Sequence, residues 1–367
     1  MKFIIEKNNF LKAINKVQSV VERRNTMPIL SNVLLKAENN QLYITATDLD
    51  IFIENSTHSN TIEDGSITVQ AGILQSIVNK MYEGAEISIG ITDKTMTMES
   101  GRSKFNLSTI PATDYPDLPD DDNSTMQFEI SAGELASLIE KVQFAISTEE
   151  TRYYLNGIYV HTVDDKIRLV ATDGHRLARA DGQKPEGMDL PDGIIIPRKT
   201  VHELYKLLDN TDASCFVYLL PDNKIKFTIN GTTLISKLVD ATFPDYNRVI
   251  PKKNKETFTV NCKDFRNAVD RVSVMNMNSI CTMGLKIENN LLQLSAHDTN
   301  TGHSSDEIEI QYNSSPLSIN FNAKYLLDIA GHIKEENITI HLDESNPAII
   351  EGSDNTNILY VLMPMRS

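Results

Sequence analysis

Three short segments read alanine, a polar residue, aspartate, and they fall at one fixed interval: Ala46-Thr47-Asp48, Ala171-Thr172-Asp173 and Ala296-His297-Asp298, each starting 125 residues after the one before. Solenoid units recur every ~20 to 50 residues, whereas a repeat of this length is the size of an independent domain. The sequence therefore points to one building block used three times.

Each copy opens with an alternating pattern that runs into a helical one. Phe3 and Ile5 precede Phe10, Ile14 and Val17; Phe128 and Ile130 precede Leu135, Ile139 and Val142; Phe258 and Val260 precede Phe265, Val269 and Val272. Apolar residues two apart mark one face of a strand, and those three or four apart mark one face of a helix. A second helix is expected later in each copy, with Leu74 and Ile77, Val201 and Leu204, and Leu326 and Ile329 on its apolar side. Hairpins are expected from Val33 to Asp48, Ile158 to Asp173 and Leu285 to Asp298, turning near Asn39-Asn40, Asp164-Asp165 and Asn289-Asn290. Asn and Asp tolerate the left-handed backbone that such turns require. Further strand pairs follow the second helix, at Ile87 to Ile91 with Thr95 to Glu99 and at Phe216 to Leu220 with Lys224 to Ile229.

The joints between copies are proline-rich. Ile110-Pro111-Ala112-Thr113-Asp114-Tyr115-Pro116-Asp117-Leu118-Pro119, followed by Asp120 to Asp122, reads as an extended connector, because three prolines cannot sit inside a sheet. Asp240-Ala241-Thr242-Phe243-Pro244-Asp245-Tyr246 with Val249-Ile250-Pro251 echoes it, an aromatic followed by Pro-Asp recurring at the matching place. The boundaries so drawn are 1–124, 125–252 and 253–367. The tail, Tyr360 to Ser367, is expected to lie across the surface.

Length and composition agree with three domains: 367 residues, 40% hydrophobic and 23% charged. No stretch approaches the roughly 18 apolar residues of a membrane span, and Met1 to Glu6 already reads as a strand rather than a leader. Cys215, Cys262 and Cys281 are odd in number and not in metal spacing, so the cytosol is the expected compartment. His297, Asp298 and His303 lack a helical or cysteine partner, and no metal or cofactor is expected.

A net charge of −15 argues against a nucleic-acid partner until it is resolved by region. The six helical windows, 7–24, 72–83, 131–146, 197–209, 261–275 and 322–334, hold 15 Lys and Arg against 9 Asp and Glu, about +6, leaving about −21 elsewhere. Glu is as good a helix former as Lys or Arg yet is outnumbered, so propensity alone does not produce this split.

The segment Ala171-Thr172-Asp173-Gly174-His175-Arg176-Leu177-Ala178, with Arg152-Tyr153-Tyr154-Leu155-Asn156-Gly157, Phe243-Pro244-Asp245-Tyr246 and Met363-Pro364-Met365-Arg366, closely resembles the beta subunit of bacterial DNA polymerase III, the sliding-clamp family, collinearly over essentially the whole chain. The resemblance implies an α+β fold: three copies of a clamp domain, each with two helices on antiparallel sheets, set in an arc that closes as a head-to-tail dimeric ring around duplex DNA. It also implies that the helices line the hole, their basic charge meeting phosphates without reading bases.

By the same resemblance, partner peptides are expected at Leu155, Thr172, Gly174, His175, Arg176, Leu177, Pro244, Arg248, Val249, Val361, Met363, Pro364, Met365 and Arg366. Copy one has Asp48-Leu49-Asp50 and copy three Asp298-Thr299-Asn300 where copy two has Asp173-Gly174-His175-Arg176, so one pocket per chain is expected. DNA contacts are expected at Arg24, Tyr153, Tyr154, Arg198 and Lys199, with Lys80 and Arg152 as additions. The joint between chains is expected to use Arg102, Lys104, Phe105 and Leu107 of an edge strand against Val274 and Met275, with Asp306, Glu307 and Glu309 facing the cations. The implied partners are DNA, a second copy, the replicative polymerase, a clamp loader, repair polymerases, and mismatch-repair and ligase proteins. The rival reading is a nucleic-acid-modifying enzyme built on Asp173, His175 and Arg176; the absence of a phosphate-binding glycine loop or a carboxylate metal cluster counts against it.

Overall fold

The computed structural model describes the chain except residues 23–26, 120–122, 209–211, 253, 277–280, 299–301, 345, 354–356 and 366–367, and except the side chain of Asn276. Arg24, Arg366 and the aspartates at 120–122 lie outside the described residues. Each copy carries the two helices its periodicity predicts: α1 (Lys7–Val17) and α2 (Ala71–Lys80), α3 (Ala132–Val142) and α4 (Arg198–Leu207), α5 (Cys262–Ser273) and α6 (Ala323–His332). None of the described helices is long and apolar enough to cross a membrane.

The helices form where the pattern supplies an apolar stripe and a cap. In α1 the buried face is Phe10, Ala13, Ile14 and Val17; in α5 it is Phe265, Ala268, Val269 and Val272. The residue before each takes up free amide groups of the first turn: Glu6 accepts from Asn8 and Asn9 at 3.0 Å, and Asn261 accepts from Asp264 at 3.1 Å. Burying each large apolar side chain contributes about 1.5–3 kcal/mol.

The three expected hairpins form with their turns in place. Asn32–Glu38 pairs with Gln41–Thr47, Gly157–Val163 with Lys166–Thr172, and Thr282–Glu288 with Leu291–Asp298. Asn39, Asn40, Asp164, Asn289 and Asn290 all have φ between 52° and 63°, the backbone region a two-residue hairpin turn demands.

Main-chain ladders, and not connectors alone, join the copies. One compact unit, Met1–Ala136 with Pro185–Met188 and His202–Leu238, holds a thirteen-stranded antiparallel sheet. Within it Thr232–Lys237 of copy two pairs with Ile51–His58 of copy one, Leu234 opposite Ile53. The other unit, Ser137–Lys184 with Asp189–Val201 and Val239–Ser367, holds an eight-stranded and a four-stranded sheet. There Arg176–Gln183 of copy two pairs with Ile358–Leu362 of copy three, Leu177 opposite Val361.

That pairing corrects the expectation for the tail. Ile358–Leu362 is an interior strand between Arg176–Gln183 and Ala348–Gly352, with Tyr360, Val361 and Leu362 buried. Its run of apolar residues without alternation fits a strand covered on both faces. The connectors are pinned by their aromatics: Tyr115 is buried and its hydroxyl donates to the carbonyls of Asn32 and Thr45 at 3.3 Å, while Phe243 and Tyr246 are buried in the second.

Candidate functional site

The repeated Ala-Thr-Asp is a turn frame. In copy two the Thr172 hydroxyl accepts from the Gly174 amide at 3.1 Å, and Asp173 Oδ1 accepts from the amides of His175 and Arg176 at 2.9 and 3.0 Å. Gly174 sits at φ +87°, and a Cβ there would stand 2.5 Å from Arg152 Nη1. The backbone angle favours glycine, although Leu49 holds φ +79° in the matching turn of copy one, and a side chain here would have to displace the Arg152 guanidinium.

This turn forms one rim of an apolar cleft of about 210 Å³. Buried Leu155, Leu177, Val361 and Tyr246 line it, with Thr172, Gly174, Arg176 and Pro244. Val249 and Met363, 41% and 39% exposed, also line it and keep apolar surface in water. Large apolar groups left in solvent around a concave apolar site are the usual mark of a surface that receives a partner. Nine of the expected pocket residues thus come together.

The other described ones have contacts of their own, as does Arg176 among the nine. His175 is exposed, stacks on Tyr325 with ring centroids 6.2 Å apart, and its carbonyl accepts from the Met363 amide at 2.9 Å. The Met365 amide donates to the Asn320 carbonyl at 2.8 Å, so Met363, Pro364 and Met365 lie between the copy-two turn and a copy-three strand. Arg248 points into solvent and pairs with Asp245 at 3.0 Å. Arg176 is buried: Nε donates to Asp173 at 3.1 Å, Nη2 donates to the Phe144 carbonyl at 2.6 Å, and Nη1 pairs with Asp328. Its guanidinium also lies 4.5 Å from the Tyr325 ring centroid and 5.1 Å from that of Phe144. With these contacts it locks copy two to copy three.

Models of the N-terminal, central and C-terminal domains of the DNA polymerase III beta subunit match residues 1–119, 129–245 and 247–366. The chain is 41% identical to the beta sliding clamp of Caulobacter vibrioides and 35% identical to that of Escherichia coli K12, covering all of both. Its fold is similar to that of the DnaN sliding clamp of Bartonella birtlesii solved bound to griselimycin, with 44% identity, a TM-score of 0.97 and full coverage of each chain. It is also similar to the DnaN clamp of Pseudomonas aeruginosa bound to the same compound, with 35% identity, a TM-score of 0.94 and full coverage. The chain belongs to the DNA polymerase III beta subunit family.

Two of the residues expected to touch DNA, Arg152 and Tyr154, also line the cleft. Arg152 is held by Glu149 through Nε at 2.7 Å and Nη2 at 3.0 Å. Tyr153 is 56% exposed, and Arg198, exposed at the start of α4, donates its amide to the Asn156 carbonyl beside it at 2.8 Å. The segment carrying Tyr153 thus meets the start of α4 through Asn156, Lys199 follows Arg198 in the same helix, and Lys80 is exposed at the end of α2. Among the described residues no group of three or more His, Cys, Asp and Glu is placed to hold a metal.

The residues expected at the joint between chains lie on open strand edges or in turns beside helix and strand ends. Ser103–Ile110 pairs along its length with Thr95–Ser100 but meets Gly65–Gln70 only at Thr109 and Ile110, which leaves the stretch carrying Lys104, Phe105 and Leu107 unpaired on one side. Arg102 is exposed in the turn that leads into this strand. Gly302–Glu309, with Asp306, Glu307 and Glu309, is the edge of the four-stranded sheet. Val274, 57% exposed, and Met275 follow α5. The expected cross-chain ion pairs have partners within the chain: Lys104 meets Glu99 at 2.7 Å, and Arg271 meets Asp306 at 2.6 Å and holds that carboxyl below its usual range. Glu307 accepts from Gln293 at 3.2 Å.

Sequence reasoning did not pick out the second cleft, about 290 Å³ and lined by Ile73, Ile77, Met81, Tyr82 and Phe105 beside the open edge. Its signal was present in Ile73, off the apolar stripe of α2, and in Tyr82 just beyond that helix, both exposed. Asp245 and Tyr246 were also not selected for the first cleft, although their motif was; burial of Tyr246 beneath a proline-rich connector has no periodic signature.

Proposed function

We propose that this chain is a non-catalytic sliding clamp: two copies close head to tail into a ring around duplex DNA and tether the replicative polymerase, conferring processivity. The observation that carries the reading is the coincidence, in a chain of this family, of two open strand edges, one in copy one and one in copy three, with an apolar cleft beside one and exposed Val274 following α5 near the other. Unpaired edges are an aggregation hazard unless something covers them, and a head-to-tail contact that closes on itself covers both. The domains run 1–124, 125–252 and 253–367, and the basic helix faces meet phosphates weakly enough to slide.

Apolar burial, with Phe105, Leu107, Val274 and Met275, supports the joint more than ion pairs do, because Lys104 and Asp306 are already paired within the chain. The 210 Å³ cleft takes short peptide tails of the polymerase, the clamp loader, repair polymerases, and mismatch-repair and ligase proteins. That two relatives were captured with griselimycin supports a surface in this family that accepts a ligand. Such a protein works in the cytoplasm. The enzyme reading has no footing in the site: the Asp173 carboxylate is taken up by the turn and by Arg176.

A nicked circular plasmid and its linear form, each loaded with the protein and passed over a sizing column, test the reading. Retention on the circle with loss from the linear ends is expected; equal retention on both means binding without encirclement. Phe105→Glu with Leu107→Glu should give monomers on sedimentation, and an unchanged dimer would place the joint elsewhere.

A further inference from the structure

The outer face of the eight-stranded sheet continues past the apolar cleft into a charged patch that the site just described does not use. Cross-strand register places Leu177 opposite Val361, both in the cleft, and Arg179 opposite Leu359 in the next row on the same face. Two residues along a strand are about 7 Å, so Arg179 stands one extended-peptide step from the cleft floor. Leu359 packs against the same apolar cluster as the cleft residues and is half-buried. Tyr246 bounds this lane on one side: its ring lines the cleft, and its hydroxyl contacts His161 Nε2 at 3.0 Å and accepts from Arg168 Nη1 at 3.4 Å.

The charges around Arg179 do not balance. Arg168 takes both oxygens of the buried Asp181 carboxylate, at 2.7 and 2.8 Å, whereas Arg179 and Lys166 reach it only at 4.0 Å. Glu351, on the strand beyond Leu359, is bound by His341 at 3.1 Å. Counting Lys166, Arg168 and Arg179 against Asp181 and Glu351 leaves one positive charge in excess. The Arg179 Nε is buried without a hydrogen-bond partner, and the side chain as a whole is 17% exposed. A partly exposed arginine lacking a full partner is suited to receive a carboxylate on the guanidinium surface it still presents.

We propose that Arg179 is an acidic-residue subsite of the cleft: a peptide whose apolar side chain fills the 210 Å³ cavity sets an Asp or Glu two positions away onto this guanidinium. The inference rests on the reading of the cleft as a peptide dock. It adds a selectivity that an apolar hole alone lacks, favouring tails with a carboxylate near the anchor over neutral or basic ones.

The test uses the full-length protein and two pairs of fluorescein-labelled peptides with a Leu-Leu anchor, each pair carrying Glu or Gln two residues before or two residues after it. Fluorescence anisotropy should show one of the Glu peptides binding about five-fold tighter than its Gln twin, a preference that shrinks as salt rises. In R179Q that preference should vanish while the Gln peptide binds as before, and R179K should restore part of it. A preference that survives in R179Q, or wild-type binding that ignores the Glu, overturns the subsite and leaves the cleft standing; failure of all four peptides to bind overturns the cleft and the subsite together.

Discussion

In copy one Thr47 and Asp48 fold the chain back through Leu49 and Asp50, and in copy two Thr172 and Asp173 fold it back through Gly174 and His175. The frames share three hydrogen bonds: the threonine hydroxyl accepts from the residue two ahead at 2.9 and 3.1 Å, and the aspartate accepts from the residues two and three ahead. Even the backbone angle recurs, φ +79° at Leu49 and +87° at Gly174. What differs is the use made of the frame. Copy one ends it on Ile51, a core residue; copy two ends it on Arg176, which reaches across to copy three, and opens the turn with glycine beside a cleft. The letters the copies share build scaffold, and the site arises where one copy departs from them.

The largest difference between the two loops should appear at their last residue. Arg176→Ala removes a buried guanidinium and leaves Asp328 and the Phe144 carbonyl without it, a loss of about 3 kcal/mol measured by urea unfolding. Ile51→Ala, at the matching place, removes packing only and should cost about 2 kcal/mol. Arg176→Ala costing under about 1 kcal/mol would mean that the contacts to copy three are not what this arginine is for.

Much of this was legible in the sequence for a physical reason. Strand and helix periods, such as Phe258 and Val260 ahead of Phe265 and Val269, are set by local geometry and survive in any context. The asparagine turns are equally local. The tail departs from a surface path because Tyr360 to Leu362 is held as a strand between Ala348–Gly352 and Arg176–Gln183, the latter in another copy, while the single Pro364 just beyond it points to the surface. That Arg152 and Tyr154 line the cleft was hidden for the same kind of reason: one is held by Glu149, the other packs on the apolar cluster. Side chains whose place is decided by long-range packing or by a neighbouring charge leave no periodic trace.

The middle-sized effect lies at the turn itself. Gly174→Leu gives copy two the residue that copy one tolerates, and it should cost about 1–2 kcal/mol because a branched side chain is forced to positive φ. Arg152 must also move, since Nη1 occupies the space of the new Cβ. Peptide binding measured by anisotropy should fall at least about ten-fold as the new side chain enters the cleft. Unchanged affinity would show that this rim of the cleft is not where peptides sit.

The reciprocal change, Leu49→Gly, should have the smallest effect and is the sharpest check on the shared frame. Leu49 is 38% exposed, so little packing is lost, while glycine relieves a strained angle worth about 1 kcal/mol and gives back a similar amount through the freer unfolded chain. The two contributions nearly cancel, and urea unfolding should shift by less than about 0.5 kcal/mol in either direction. If Leu49→Gly instead destabilises by more than about 1.5 kcal/mol, the leucine side chain makes a contact of its own in copy one. The loop of copy one would then be a site with its own purpose, rather than the plain form from which copy two departs.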